Sequence, residues 1–370
     1  MTPVEFRRHL HAHPELSFKE EKTARFIAEQ LSALGIENRS IAGTGILARI
    51  EGRGDTRRAV VLRADIDALP IHEAADVAWR SRNEGIMHAC GHDMHAAVLF
   101  GVLQRLKAEG DFDGTVFGLF QPGEELVPGG ASLVLAEKPF EGYNVAAVIG
   151  EHVEPQLEVG TFGFRAGKYM ASNDELHITV HGKGGHAAMR QLIKDPVTAA
   201  ADLILRFTAM NSEDSVVSIG RVVADGATNV IPDTVRLEGT MRTFDEGLRE
   251  GIKRQMAGAA AETGTKYGVT IDADIRRGYP CVVNDATLTA TARNIAAERF
   301  NTVDLPLRTT AEDFGYYCGV YPSLFYRLGT GGTGATHTPM FNPDERAIGY
   351  GIEFMNLLTR TILENGKEKE

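Results

Sequence analysis

Residues 93–125 have the sequence DMHAAVLFGVLQRLKAEGDFDGTVFGLFQPGEE, in which a helical pattern is followed by a short apolar strand and two acids. Similar apolar runs, bounded by Gly, Asp or Pro, occur at residues 45–50, 59–65 and 144–150. Short apolar strands that alternate with helical patterns indicate βαβ units. We therefore predict an α/β fold with a mostly parallel central sheet.

A different order of elements follows between residues 167 and 278. Its pattern predicts a strand at 174–182, a helix at 195–210, strands at 215–223 and 234–244, a helix at 246–264 and a strand at 267–276. This β-α-β-β-α-β order is typical of ferredoxin-like units, which can fold alone. We expect a catalytic domain built from residues 1–167 and 280–370, interrupted by an inserted lid or dimerisation domain at 168–279.

The composition limits the classes of partner. The chain has 370 residues, 43% of them hydrophobic, and a formal net charge of -11. This acidic balance, without a basic run, argues against binding to nucleic acid or to an anionic membrane surface. The absence of a signal-peptide core, of a spanning apolar run and of paired cysteines predicts a cytoplasmic protein.

Local signals predict where several helices begin and end. Thr2-Pro3-Val4-Glu5 forms a capping box with proline at the first helical position. A second helix is expected at residues 19–34, ended by Gly35. A last helix is expected at 344–363, and the charged residues 367–370 are expected to be frayed and solvated.

Candidate metal ligands lie just after predicted strands or just before a helix. Carboxyl ends of parallel strands meet at one edge of a sheet, so such residues can converge. Thiolate, imidazole and carboxylate groups all bind zinc and related ions. The sequence therefore predicts a metal site from Cys90, His92, the acidic pair Glu124 and Glu125, His152 and His337. Alone, the Cys-x-His pair would more often be an ordinary core or surface feature.

The two adjacent glutamates can have different chemical roles. Because neighbouring side chains point apart, one of Glu124 and Glu125 can bind the ion while the other acts as a general base. Asp65 and Asp67 could orient a ligand histidine. His88 and His95 are expected to support the ligands or to pack beside them.

The inserted domain carries candidate substrate contacts. His186 follows the glycine-rich GKGG, Asn229 lies in the loop TNVIPD, and Arg242 ends a predicted strand. Such residues can polarise a carbonyl and hold a carboxylate. For Arg242, an ordinary surface ion pair is an equally good interpretation.

Ten ordered motifs resemble the aminoacylase and hippurate hydrolase branch of the dinuclear-metal peptidase and deacylase family, which also includes N-acetyldiaminopimelate deacetylase-like and auxin-conjugate hydrolase-like enzymes. The motifs are RRHLHAHPELSFKE, LRADIDALPI, MHACGHDMHAA, FQPGEE, GEHV, GKGGHAA, TNVIPD, EGTMRTFDE, AEDFGYY and THTPMFNPDE. The resemblance implies a zinc-peptidase-like catalytic domain with a lid, a homodimer, and hydrolysis of N-acyl amino acids by two divalent ions such as Zn, Mn, Co or Ni. It also implies metal binding by Cys90, His92, Glu125, His152 and His337, general-base catalysis by Glu124, and substrate binding by His186, Asn229 and Arg242.

Two positions depart from the family pattern. Glu151 replaces the usual apolar residue before His152, which suggests an effect on metal affinity or on a substrate amine. Arg190-Gln191 replaces the common Pro-His, which suggests altered specificity.

Three alternatives stay open at this stage. A dipeptidase or carboxypeptidase of the same family would need only a different acyl pocket. Cys90 could instead be a nucleophile with His92 as its base, although this leaves the glutamate pair and His337 without a role. A non-catalytic ligand-binding protein is the third alternative, and the intact Glu124 argues against it.

Overall fold

A computed structural model describes residues 1–364, so the predicted solvated end at 367–370 lies outside the described residues. The helices are α1 (Pro3–Ala12), α2 (Glu21–Ala33), α3 (His92–Glu109), α4 (Gly130–Ala136), α5 (Pro196–Thr208), α6 (Glu246–Tyr267), α7 (Ala286–Ala297), α8 (Gly315–Cys318) and α9 (Arg346–Glu364), with a 3-10 turn at Arg190–Leu192. The strands are β1 (Glu37–Ile41), β2 (Gly45–Glu51), β3 (Arg58–Asp65), β4 (Thr115–Gln121), β5 (Asn144–Glu154), β6 (Phe162–Phe164), β7 (Gly167–Met170), β8 (Asp174–His181), β9 (Gly185–His186), β10 (Ser215–Val223), β11 (Val230–Ile231), β12 (Thr234–Thr243), β13 (Thr270–Arg277), β14 (Val282–Asn284), β15 (Thr302–Asp304) and β16 (Ser323–Gly329).

The chain forms two compact units. The first contains Met1–Gly167, Val283–Pro306 and the chain from Asp313 onward, and the second contains Lys168–Val282 and Leu307–Glu312. The short segment Leu307–Glu312 was placed in the catalytic domain from the sequence. Its main chain instead pairs within the second unit, where the amide of Ala171 donates to the carbonyl of Arg308 at 3.0 Å.

The first unit is built on an eight-stranded sheet with the order β1-β2-β4-β3-β5-β16-β6-β15. The inner strands β4, β3, β5 and β16 are parallel to one another, whereas β1 and β2 run antiparallel to their neighbours. Strand β6 is antiparallel to β16 and parallel to β15. Every residue of β4 is buried, as expected for a strand that is covered on both faces of the sheet. The predicted α/β fold with a mostly parallel central sheet is confirmed.

Helix signals near the N-terminus are also confirmed. The amide of Glu5 donates to Thr2 Oγ1 at 3.2 Å and the amide of Thr2 donates to Glu5 Oε2 at 2.7 Å, which completes the capping box. Helix α2 is followed by Gly35 with φ +65°, a conformation that favours glycine. No helix among the described residues is long and apolar enough to cross a membrane.

The second unit has its own core and an antiparallel four-stranded sheet with the order β10-β12-β8-β13. Its elements follow the predicted β-α-β-β-α-β order, and α5 and α6 pack together and against the sheet. The core includes Leu176, Leu203, Leu237 and Met256. The sequence did not predict the two-residue strands β9 and β11, which pair with each other.

Candidate metal centre

The carboxyl ends of β3, β4 and β5 bring three of the predicted clusters to one edge of the sheet. β3 pairs in parallel with both β4 and β5, and Asp65 at its end is opposite Gln121 at the end of β4. The segment that follows Gln121 carries Glu124 and Glu125, and β5 carries His152 near its end. The common strand direction therefore places the clusters together, as the sequence analysis expected.

The turn before α3 brings Cys90 and His92 to the same edge. Gly91 between them has φ +91°, and a Cβ there would lie 2.5 Å from Val153 Cγ2. Only glycine therefore allows this close approach to the end of β5. The turn leaves Cys90 and His92 buried beside the strand.

The five predicted ligands are close to one another. Cys90 Sγ lies 3.3 Å from Nε2 of His152 and 3.3 Å from Nε2 of His337. Glu125 Oε1 lies 3.3 Å from His337 Nε2 and 3.9 Å from His92 Nε2. Two donor groups, one of Cys90, His92 and His152 and one of Cys90, Glu125 and His337, each have their ligand atoms within 4.8 Å of one another.

His337 is held in an unusual backbone conformation. Its φ is +62°, which is uncommon outside glycine. Its amide donates to the carbonyl of Ala89 at 2.8 Å, next to Cys90 in the chain. This contact links the loop of His337 to the turn that carries Cys90, and local strain of this kind is often found at functional sites.

Charges in the cluster favour a cation. Burial lowers the pKa of His92, but Asp65 and Cys90 outweigh it and hold this pKa well above the ordinary value. Hydrogen bonds to Cys90 and Glu125 raise the pKa of His337 to about 10. The acidic groups thus stabilise positive charge on His92 and His337, whereas burial holds the pKa of His152 well below its ordinary value. A bound cation can replace the protons of His92 and His337.

The donor set fits divalent transition metal ions. His92 Nε2 is buried and makes no hydrogen bond among residues 1–364, and Glu125 Oε1 lies 3.3 Å from His337 Nε2. Buried polar atoms seldom lack a partner, so His92 Nε2 is available as a ligand. The mixture of thiolate, imidazole and carboxylate suits zinc and related ions.

The same environment disfavours Cys90 as a free nucleophile. Burial, together with the nearby Glu125 carboxylate, raises the pKa of the Cys90 thiol. Reactive cysteines normally have a lowered pKa and some exposure. Metal ligation explains this buried sulfur better than covalent catalysis does.

Hydrogen bonds orient two of the imidazoles that were predicted to be ligands. His92 Nδ1 donates to the backbone carbonyl of Asp67 at 2.9 Å, which leaves Nε2 facing the cluster. His152 Nδ1 donates to the carbonyl of Val153 at 2.8 Å. The carboxylate of Asp67 also lies 3.1 Å from His92 Nδ1 and accepts the amide of Glu125 at 3.0 Å. The predicted orienting role of Asp67 matches this geometry.

Asp313 is a buried residue to which the sequence analysis gave no role. Its carboxylate accepts from Arg63 Nη2 at 2.7 Å, from Gln121 Nε2 at 2.8 Å and from the amide of Ala131 at 2.9 Å. It therefore ties the ends of β3 and β4 to the start of α4. Its only signal in the sequence was the motif AEDFGYY, because its partners are far away along the chain.

The three predicted substrate contacts lie in the second unit. His186 and Asn229 are exposed neighbours, since the amide of Ala187 donates to the carbonyl of Asn229 at 3.0 Å. Arg242 is half-buried on β12, opposite Val216, and burial lowers the pKa of its guanidinium. Their roles stay predictions.

The side chain of Glu151 does not face the ligands. It is buried, and it accepts the hydroxyl of Tyr326 at 2.9 Å. Because side chains alternate along a strand, Glu151 and His152 point to opposite faces of β5. The suggestion that Glu151 meets a substrate amine is therefore wrong. Arg190 and Gln191 are exposed in the 3-10 turn, so their suggested effect on specificity stays a prediction.

The sequence is similar to those of known proteins over most of its length. Residues 61–361 match the model of peptidase family M20/M25/M40. The chain is 36% identical to an N-acetyl-L-cysteine deacetylase of Bacillus subtilis, with 99% of this chain and 89% of the relative covered. It is also 36% identical to an N-acetyldiaminopimelate deacetylase of Exiguobacterium sibiricum, with 95% and 97% covered.

A solved structure has the same fold. It is the crystal structure of a Bacillus subtilis protein described as a dinuclear metal binding peptidase from the M20 family. The TM-score is 0.88 and the sequence identity is 37%, with 98% of each chain covered.

Proposed function

The chain belongs to peptidase family M20/M25/M40, and we propose that it hydrolyses the amide bond of N-acyl amino acids to a carboxylate and a free amino acid. The observation that carries this proposal is the convergence of the Glu124-Glu125 pair with one thiol and three imidazoles at one edge of the sheet. Relatives named N-acetyl-L-cysteine deacetylase and N-acyl-L-amino acid amidohydrolase support this type of reaction.

Two divalent ions would be held by Cys90, His92, Glu125, His152 and His337. The two donor groups that share Cys90 support a pair of ions rather than one. Zinc, manganese, cobalt and nickel all accept this ligand set. When bound, such ions act as Lewis acids toward a carbonyl oxygen.

Glu124 would be the general base. It is buried, with 6% of its surface exposed, and its Oε2 lies 4.0 Å from His92 Nε2. In this position it can take a proton from the attacking water and later deliver it to the leaving amine. Glu125 binds metal instead, because its Oε1 is the oxygen that lies near His92 and His337.

His186, Asn229 and Arg242 would bind the substrate. An imidazole and an amide can stabilise the oxyanion of the tetrahedral intermediate. Arginine can hold the carboxylate of the amino acid through paired hydrogen bonds. The adjacent positions of His186 and Asn229 on the surface of the second unit support a joint role.

The sheet of the second unit has edges through which two copies could assemble. The four-stranded sheet of the second unit leaves β10 and β13 as edges, and an edge strand can pair with a second copy. We propose a homodimer formed through this unit, in the cytoplasm, without nucleic acid or membrane partners. Sedimentation that shows a monomer at micromolar concentration would reject the dimer.

The test is amine release from a substrate panel by metal-stripped protein, before and after addition of Zn, Mn, Co or Ni. The panel contains N-acetylcysteine, N-acetyldiaminopimelate, hippurate and several dipeptides, because relatives include both deacetylases and peptidases. We expect no release from the stripped protein and restored release with at least one ion. Faster turnover of dipeptides would favour a dipeptidase, and no release from folded, metal-loaded protein would favour a non-catalytic binding protein.

A further inference from the structure

Residues 15–20 belong to the connection between α1 and α2. They contact the loop of Asp67 and the loop of Gly123, Glu124 and Glu125, which we call the acidic loop. Ser17 Oγ donates to Asp67 Oδ2 at 2.7 Å, and the same oxygen accepts the amide of Glu125. The segment belongs to the motif RRHLHAHPELSFKE, and the proposed chemistry leaves it without a role. Its contacts suggest that it supports the loops.

Glu20 makes the most direct contact with the loop that carries the glutamate pair. Its side chain is fully buried. Oε1 accepts the amide of Gly123 at 2.8 Å, and Oε2 accepts the hydroxyl of Thr44 at 2.6 Å. Gly123 immediately precedes Glu124, so this hydrogen bond fixes the backbone one residue before the general base.

The helix does not need the Glu20 side chain. Glu20 occupies the position before α2, but its side chain makes no capping hydrogen bond. Glu15 caps the helix instead, because its Oε2 accepts the amides of Lys22 at 2.9 Å and Thr23 at 2.8 Å. A buried carboxylate is costly, and here its hydrogen bonds connect the acidic loop to the turn at Thr44.

Gly123 has little freedom to move. Its φ is +60°, and a Cβ there would lie 2.3 Å from the ring of Phe18. Phe18 itself has φ +60°, which is unusual for an aromatic residue. The segment thus holds Gly123 by a hydrogen bond on one side and by an aromatic ring on the other.

We propose that Glu20 is a positioning residue that holds Glu124 and Glu125 in their working geometry through the amide of Gly123. This inference rests on the proposed function for its catalytic part, whereas its effect on Glu125 as a ligand can be measured without catalysis. A displacement of a catalytic group by about 1 Å can lower the rate about 100-fold. Loss of a residue that supports a metal ligand weakens metal binding by about 10- to 100-fold.

The experiment compares wild-type protein with Glu20→Ala and with the matched control Glu15→Ala. Both variants remove a carboxylate from the same segment, but only Glu20 contacts the acidic loop. We measure zinc affinity by competition with a chromophoric chelator, kcat and KM on the best substrate of the panel, and melting temperature. We expect Glu20→Ala to lower zinc affinity and kcat by about 10-fold or more, with KM changed by less than about threefold.

Glu15→Ala should lower only the melting temperature, because it loses helix capping without disturbing Gly123. Glu20→Gln should recover most of the zinc affinity and kcat, since its amide oxygen can still accept from Gly123. If Glu20→Ala does not fold, Glu20→Asp takes its place. Its side chain is one methylene shorter and cannot reach both Gly123 and Thr44.

The proposal fails if Glu20→Ala, or Glu20→Asp in its place, matches Glu15→Ala in zinc affinity and kcat. It also fails if Glu20→Gln is as impaired as Glu20→Ala, because the hydrogen bond to Gly123 would then not be the cause. A wild-type protein that binds zinc but hydrolyses nothing in the panel would overturn the proposed function. Zinc affinity would still decide the role of Glu20.

Discussion

The imidazole of His95 lies between the carboxylate of Asp65 and the backbone beside His152. His95 Nδ1 is 2.6 Å from Asp65 Oδ1, and His95 Nε2 accepts the amide of Val153 at 2.9 Å. Because an amide can only donate, Nε2 is an acceptor and Nδ1 carries the proton. His95 therefore fixes the backbone next to His152, and both of its ring nitrogens are used by these two hydrogen bonds.

Replacing His95 by alanine should weaken metal binding. The change removes the hydrogen bonds of His95 to the amide of Val153 and to Asp65 Oδ1, although Asp65 Oδ2 still accepts from Arg63. We expect about 10- to 100-fold lower zinc affinity. His88→Ala is the matched control, since His88 is also buried but neither ring nitrogen has a hydrogen-bond partner among the described residues. Equal zinc affinities for the two variants would show that loss of a buried imidazole, and not loss of the hydrogen bonds of His95, weakens zinc binding.

Substitutions of Glu124 and Glu125 should have different effects, one on catalysis and the other on metal binding. Glu124→Gln keeps the size of the side chain but cannot take a proton, so kcat should fall about 100- to 10,000-fold while the metal content is retained. Glu125→Gln should instead lower zinc affinity, because it removes a charged ligand. Metal analysis by mass spectrometry beside steady-state kinetics distinguishes the two results. Loss of metal in Glu124→Gln would mean that the roles are reversed or shared.

Sequence patterns were most informative where structure is local or periodic. The apolar runs predicted the strands, and their parallel arrangement predicted that Cys90, Glu125 and His152 meet at one edge. The capping box at Thr2 was predictable because all its atoms lie within one helical turn.

Contacts between segments that are distant in the sequence could not be predicted from those patterns. Glu20 and Gly123 are 103 positions apart, and no periodicity relates them. Strands β9 and β11 have two residues each, which is too short for a detectable pattern. The error over Glu151 was avoidable, because alternation along β5 already placed it on the face opposite to His152.

Glu151→Gln tests this corrected position. The variant keeps an oxygen that can accept from the hydroxyl of Tyr326 and removes a carboxyl group from the interior. We expect zinc affinity, kcat and the ranking of substrates to stay within about threefold of wild type. A changed preference for substrates that carry a free amine would instead show that Glu151 influences the site.

The ion pair of Asp174 and Arg249 should make the second unit sensitive to acid. Arg249 Nε and Nη2 donate to the two carboxylate oxygens at 2.8 and 2.9 Å, and both side chains are buried. Asp174→Asn removes the buried carboxylate and leaves Glu246 as the remaining acidic partner of Arg249, so we expect about 3 kcal/mol lower stability near neutral pH. Urea unfolding of metal-stripped protein measures this difference without a contribution from metal release.

The pH dependence of that difference follows from the pKa of Asp174. Burial raises this pKa, but the hydrogen bonds and charge of Arg249 outweigh burial and lower it below the ordinary value. The pair therefore stabilises the fold fully above the unfolded pKa of about 3.9, and its contribution is lost as the pH falls through the lower folded value. The gap between wild type and Asp174→Asn should be constant from pH 7 to about 5 and should narrow below about 4.

Asp272→Asn is the control, because Asp272 is exposed on β13 and should change stability by no more than about 0.5 kcal/mol. A gap between wild type and Asp174→Asn that stays constant down to pH 3 would show that the lost packing, and not the charge of Asp174, causes the destabilisation.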